Sequence, residues 1–242
     1  TAYETGDVID MRYDFDEIIE RRGTNSIKYD FAVERGKPED VIPLWVADMD
    51  FRTVPAVTEA LIKVAQHGIF GYSEMKQSYF NAVHDWYKNR FGWEMDESWL
   101  VKTPGVVYAI AAAIRALTDK GDAVLIQRPV YYPFSGAILS NGRKLVNNPL
   151  VYKDGSYHID FDDFEAKIKE HKVRLFVLCS PHNPVGRVWT REELTRMGEI
   201  CMKHGVIVVS DEIHADFVFK GNKHHVFASL SHEFQDNSII CT

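Results

Sequence analysis

Short apolar runs alternate with amphipathic stretches through the second half of the chain. The runs AVLIQ (123–127), RKLVN (143–147), RLFVLCS (174–180), VIVVS (206–210) and SIICT (238–242) show little polar alternation, as strands buried on both faces do. Helical segments lie between them. GVVYAIAAAIRALTDKGD is a strongly apolar helix expected to stop at Gly121, and PFSGAILSNG a short one. DFDDFEAKIKE is amphipathic with Asp160 as its cap. TREELTRMGEICMKHG opens on a capping box, Thr190 with Glu193, and ends at Gly205. Strands in alternation with helices predict an α/β fold, a mostly parallel sheet with helices on both faces.

The first hundred residues are less regular. An amphipathic piece from Phe15 to Arg22 meets a helix stop at Gly23. VIPLWVADMDF is apolar but carries Pro43, too irregular for a central strand. Thr53 is the expected cap of a helix with Pro55 in its first turn, running through Val57, Ala60, Leu61 and Val64 to Gly68. A second helix from about Gln77 to Arg90 places Phe80, Val83, Tyr87 and Phe91 on one face, and Trp86 and Trp93 join them as packing residues.

Composition narrows the partners. The chain has 242 residues, 45% apolar, with 35 acidic and 28 basic side chains and a net charge of −7. That balance argues against nucleic acid or an anionic membrane surface, both of which select a basic face. No apolar stretch approaches the ~20 residues of a membrane span, and TAYETGDVID lacks the pattern of a signal peptide. Cys179, Cys201 and Cys241 are dispersed, with no metal-ligand spacing, and read as thiols of a reducing, cytoplasmic compartment. His214, His224 and His225 do not make a metal site, because adjacent histidines point apart and no Cys or Glu spacing supports them. Arg191, Glu192 and Arg196 read as a solvated helix face, with Glu192 and Arg196 a possible surface pair.

In open parallel sheets the chemistry sits at the carboxyl ends of the strands, and four features fall at such ends or at a helix start. Asp211 leaves a buried strand, where a carboxylate needs a cation or hydrogen-bond donors; it is either a cap or local partner, or a fixed anion for a ligand's ring nitrogen. Asn183 stands between Pro181 and Pro184, either in an Asx turn or as a neutral donor presented from a stiff platform. In TPGVVYAI the glycine either directs the chain or frees helix N–H groups for a phosphate. In RPVYYPF the tyrosines are either a packed pair or a ring that stacks on a flat ligand. The functional alternatives together describe one ligand, pyridoxal 5′-phosphate (PLP).

The motifs FDEIIERRGTNSIKYD (15–30), LWVADMDF (44–51), GIFGYSE (68–74), SPHNPVGRVWTREEL (180–194) and SDEIHADFVF (210–219) span most of the chain. With them the sequence resembles the fold-type I PLP enzymes of the class I/II aminotransferase superfamily. Within it, the resemblance is to the C–S lyase subgroup of cystathionine β-lyase and the MalY/PatB proteins. The resemblance implies an aspartate aminotransferase-like fold: residues 1–52 form an N-terminal segment of arm and part of a small domain, and residues 53–242 a large PLP-binding domain, C-terminally incomplete and without the C-terminal small domain. It implies that Asp211 pairs with the pyridine nitrogen, Asn183 bonds the ring 3′-oxygen, His214 lies near that oxygen and Tyr131 stacks on the ring. Gly105, Val106 and Val107 would offer N–H groups to the phosphate, Tyr72 would reach the phosphate of the other subunit of a homodimer, and Ala47 would lie by the substrate carboxylate.

The implied reaction is α,β-elimination from a small sulfur-containing amino acid such as cystathionine or cysteine, giving a thiol, pyruvate and ammonia. An aminotransferase on the same scaffold is the alternative. The family's Schiff-base lysine is expected just past SIICT, and its carboxylate-binding arginine lies in the C-terminal small domain. Lys102, Lys220 and Lys223 read as solvated, so the sequence is expected to be a fragment of a protein of family size. A non-catalytic PLP-fold binding or regulatory protein is the reading that a true truncation would favour.

Overall fold

The computed structural model describes residues 14–242; the segment TAYETGDVID lies outside the described residues. Internal contacts divide the chain into two units, one ending at Ser73 and one spanning Glu74–Thr242.

In the first unit, residues 15–22 are irregular rather than helical. The segment is too short to repay helix nucleation, and its charged side chains reach distant partners instead. Arg21 bridges Asp48 (2.6 Å) and Asp50 (2.5 Å), and Glu17 pairs with Arg52 at 2.9 Å. Lys28 is buried and donates to the Asp48 carbonyl at 2.9 Å, and the Tyr29 hydroxyl donates to Asp50 at 3.0 Å. Asp30 closes the turn between them by accepting from the N–H groups of Gly23 and Ser26. The motif stretches 15–30 and 44–51 are thus two halves of one ion-paired clamp. Helix α1 (Pro55–His67) is capped at its C-terminus by Gly68, but Val54 rather than Thr53 is its N-cap, and no side chain closes that end. The sequence reading places α1 in the large domain; the contacts place it in the first unit, where it buries none of its residues.

The second unit runs through α2 (Gln77–Phe91), α3 (Val106–Leu117), β1 (Ala123–Ile126), α4 (Pro133–Leu139), β2 (Lys144–Asn147), β3 (Val151–Lys153), β4 (Ser156–His158), α5 (Phe161–His171), β5 (Val173–Cys179), α6 (Arg191–Lys203), β6 (Ile207–Asp211), α7 (His232–Asp236) and β7 (Ser238–Cys241). Five strands form one sheet in the order β2-β1-β5-β6-β7, and every ladder in it is parallel. Helices cover both faces. One face carries Val124, Ile126, Leu175, Val177, Cys179, Val209 and Cys241 against Ile110 and Ile114 of α3 and Phe134 and Ile138 of α4. The other carries Leu125, Phe176, Leu178 and Val208 against Phe164 and Ile168 of α5 and Leu194 and Met197 of α6. The exposed Arg174 is an extra residue where β5 slips register against β1, and beyond it the strand is buried on both sides without a break.

Several elements depart from the sequence expectation. Helix α3 ends at Leu117, not Gly121, because Thr118 turns extended and its hydroxyl bonds back to the Ile114 carbonyl. The antiparallel pair β3–β4 was not expected, although Asp154 and Gly155 both take positive φ (53° and 78°), as a tight hairpin turn requires. The short helix α7, capped by Ser231, was also not expected. Arg196 approaches Asp162 at 3.9 Å and lies over the Phe161 ring, rather than pairing with Glu192. The aromatic face of α2 packs in part as expected: Tyr87 is buried with Val226 and Ala228, and Val83, Phe91 and Trp93 flank it. Trp86 does not join that packing; it is exposed, with Arg90 over its ring and its Nε1 donating to Asp216 at 3.1 Å.

Helix α6 contacts α7 through Gly198, where an added Cβ would overlap the Phe234 ring. Phe234 is itself stacked on Phe227 and has little room to retreat. Gly198→Ala is therefore expected to destabilise by ~1–3 kcal/mol in urea unfolding, despite alanine's better helix propensity.

Candidate active site

The strand order reverses between β1 and β5. The chain leaves β1 toward β2 on one side, then returns across it to β5, β6 and β7. The carboxyl ends of β1, β5 and β6 thus lie side by side at this reversal, the place where ligands bind in such sheets.

Asp211 ends β6 between Cys179 of β5 and Cys241 of β7, its register partners. Those thiols, and Val209 two residues earlier, belong to the face covered by α3 and α4, so Asp211 points to that side. It is 4% exposed. Its Oδ1 accepts the Ile213 N–H at 3.2 Å, and among the described residues no basic side chain pairs with it. Burial, with the neighbouring Glu212 charge adding to it, raises its pKa to about 6. This carboxylate is held out of water with no cation to offset the cost.

Helix α3 runs back along the same face, so its N-terminus reaches the carboxyl end of the sheet. Gly105 is its N-cap, with φ 150° and ψ 164°, a conformation open to glycine alone. No side chain caps this end, and the first N–H groups, those of Val106 and Val107 among them, are left to a ligand or solvent. Tyr131 follows β1, half-buried against the same core, its ring edge-on to Phe134 at 5.9 Å.

Asn183 sits on a loop closed on itself. The His182 N–H donates to the Arg187 carbonyl (2.8 Å), and the Gly186 N–H to the His182 carbonyl (2.9 Å). The Asn183 N–H reaches Cys179 Sγ at 3.4 Å, placing the residue on the Asp211 side of the sheet. Its side-chain amide has no hydrogen-bond partner among the described residues. Behind the loop, Trp189 is fully buried and donates from Nε1 to the Cys179 carbonyl at 2.9 Å. Arg187 donates from Nη2 to both carboxylate oxygens of Glu193 (2.7 Å each) and from Nη1 to the Tyr157 carbonyl, and the same Glu193 carboxylate completes the capping box of α6.

The structure therefore brings Asp211, Asn183, Tyr131 and the segment Gly105–Val107 to one end of one sheet face. His214 is half-buried in the turn after Asp211, with its ring 6.3 Å from that of Phe217. Tyr72 and Ala47 are exposed residues of the first unit. Val46, beside Ala47, has φ 58°, a strained position for a β-branched residue. Lys102, Lys220 and Lys223 are exposed.

Sequence reasoning passed over two residues here. Glu212 is fully buried and accepts from Ser210 Oγ (2.9 Å) and the Phe227 N–H (2.9 Å), with His224 Nε2 at 2.8 Å. His224 therefore belongs to the core, a pairing hidden by the polar stretch around it. His182 is buried as well, and its only sequence signal was its place between Pro181 and Asn183. All three cysteines are buried and free, and among the described residues no cluster of ligating side chains could hold a metal ion.

The sequence profile of aminotransferase class I and II matches residues 39–241. The chain belongs to this family. It is 50% identical over 227 residues to cystathionine beta-lyase PatB of Bacillus subtilis strain 168, covering 94% of this chain and 59% of that protein. Among solved structures, it superposes on cystalysin from Treponema denticola, which contains a pyridoxal 5′-phosphate cofactor, with a TM-score of 0.89 and 39% identity over 95% of this chain and 59% of the other. The PLP-bound C–S lyase from Staphylococcus hominis gives 0.88 and 37%, covering 96% and 59%. The chain spans 59% of the length of each of these relatives, and the fold is that of the PLP-dependent family members.

The buried carboxylate sets a pH signature. An aspartate with pKa about 6 when folded and 3.8 as its ordinary value binds more protons folded than unfolded between those pH values. Stability should therefore fall as pH rises from about 4 to 6, and the full cost persists above. In cofactor-free protein, Asp211→Asn is expected to remove that decline and to raise stability at pH 7.5 by ~1–3 kcal/mol. Urea unfolding of both proteins at pH 4.5 and 7.5 measures it.

Proposed function

We propose that this chain carries the cofactor site of a PLP-dependent C–S β-lyase, which releases a thiol, pyruvate and ammonia from cystathionine, cysteine or a related amino acid. One observation carries the cofactor assignment: Asp211 is a buried carboxylate with no cation among the described residues, at the carboxyl end of β6 on the side of the sheet covered by α3 and α4. A protonated pyridine nitrogen supplies the missing positive charge, and pairing with it offsets the cost of burying Asp211. The open N-terminus of α3 and the unpartnered Asn183 amide match the other polar groups of the same molecule.

PLP, when bound, supplies an electron sink for the bond broken at the substrate α-carbon. The protein's share is positioning and charge. Asp211 keeps the proton on the ring nitrogen. The Asn183 amide donates to the ring 3′-oxygen, with His214 near it. Tyr131 covers one ring face, and the N–H groups after Gly105 bind phosphate oxygens. Tyr72 completes the phosphate site of a partner subunit in a homodimer with shared active sites, and Ala47 lies by the substrate carboxylate. The three buried free thiols agree with a reducing, cytoplasmic setting. Among the described residues no helix is long and apolar enough to cross a membrane.

Similarity to proteins named cystathionine beta-lyase and C–S lyase favours elimination over amino transfer. The whole protein, given cystathionine with no 2-oxo acid, is expected to release pyruvate in a lactate dehydrogenase-coupled assay. A strict requirement for 2-oxoglutarate would instead identify an aminotransferase. Asp211→Ala should lower turnover ~10²–10³-fold, a loss of the size seen when a preorganised charge is removed. Binding of PLP should suffer much less, because the phosphate contacts remain; wild-type turnover in this variant would refute the ring-nitrogen role.

A further inference from the structure

We propose that His182 is a positioning residue that couples the loop carrying Asn183 to the loop carrying Tyr131, and so sets the width of the cofactor slot. The proposal rests on the reading that these two residues contact PLP.

His182 Nε2 lies 2.9 Å from the Pro129 carbonyl oxygen. A carbonyl only accepts, so Nε2 carries the proton and donates. Pro129 precedes Tyr131 by two residues on the loop after β1, and His182 precedes Asn183 on the loop after β5. This one side-chain hydrogen bond thus spans the two strands between which the chain reverses its order. Neither end is otherwise tied at its tip: among the described residues, the Asn183 amide and the Tyr131 hydroxyl have no hydrogen-bond partner. Their placement depends on how the two backbones are held.

The ring is built to hold that bond. It is 2% exposed. It stands edge-on to Trp189, with centroids 5.4 Å apart and planes at 87°, and Trp189 is pinned to the Cys179 carbonyl. The two backbone hydrogen bonds of His182 close its loop and fix the backbone from which the imidazole reaches Pro129, while burial against Trp189 confines the ring itself. Burial pushes its pKa down to about 4, which keeps the ring neutral and the donating tautomer in place near neutral pH. Its Nδ1 is buried without a partner. The site keeps an imidazole at this position although only one of its nitrogens is satisfied.

The test is the PLP dissociation constant of the whole protein, measured by equilibrium dialysis, in two double-mutant cycles. His182→Leu removes the donor while keeping bulk, and is expected to weaken PLP binding by about tenfold. His182→Gln, which returns an amide donor, should restore binding to within about threefold. The effect of His182→Leu should shrink by at least about threefold in the Asn183→Ala background and again in the Tyr131→Phe or Tyr131→Ala background, because it acts through those residues. A lower Tm with unchanged PLP affinity, or full additivity in both cycles, would overturn the coupling role and leave the PLP contacts standing. If Asn183→Ala and Tyr131→Ala themselves leave PLP affinity unchanged, the contact assignment falls first and the coupling role with it. Should the leucine variant not fold, His182→Asn, whose shorter amide stops short of Pro129, replaces it in both cycles.

Discussion

The site depends on a carboxylate held where water cannot reach it. Asp211 is carried to the end of β6 by a strand buried on both faces, with thiols rather than donors beside it on β5 and β7. One backbone donor, the Ile213 N–H, offsets part of the lost hydration, and among the described residues no cation offsets the rest, so its pKa is pushed up. Cysteine suits the flanking positions because it packs as a small apolar group. The Cys179 and Cys241 thiols are themselves driven up to about 12 by burial and by the Asp211 charge, so neither competes as an anion.

The rest of the second unit follows from covering both faces of a parallel sheet. Two helices on each side leave only the strand ends for polar groups, and the order β2-β1-β5-β6-β7 gathers three of those ends side by side. The loops there are held by short-range devices: Gly186 in the turn after Asn183, the Trp189 indole on Cys179, and Arg187 clamped to Glu193 at the start of α6. Behind Asp211, the Glu212–His224 pair joins the end of β6 to the segment that leads to β7. Rigidity is thus concentrated behind the residues at that end of the sheet, while Asn183, Tyr131 and the first turn of α3 keep their polar groups free.

The first unit shows how a sequence motif and a chemical role can differ. The stretches around RRGTNS and ADMD read as family signatures, and their charged residues are spent on one another: Arg21 and Lys28 grip Asp48 and Asp50. What the clamp holds is the strained Val46–Ala47 step. The side chains that made the motif recognisable are therefore structural, and the uncharged residue among them, Ala47, is left exposed.

The parallel sheet of the second unit and most of its helices were legible in the chain alone, though the β3–β4 hairpin and α7 were not. Apolar runs without alternation, helix caps and glycine stops report local and periodic preferences, and β1, β5, β6, β7, α5 and α6 fall within a residue or two of where those signals put them. Asp211, Asn183 and Gly105 were legible as candidates for a related reason, since each is a polar or glycine break at the edge of an apolar run, whereas RPVYYPF offered two tyrosines and only the family resemblance singled out Tyr131. Packing settled the contacts between partners far apart in the chain. The Phe15–Arg22 segment gave up its helical pattern to Asp48 and Asp50, and Glu212 found His224 in the core. His182 reached Pro129 across 53 positions, an interval no local pattern encodes. Periodicity records which face of its own element a residue occupies; which group it meets there depends on how the elements pack, and burial then sets the charge it carries.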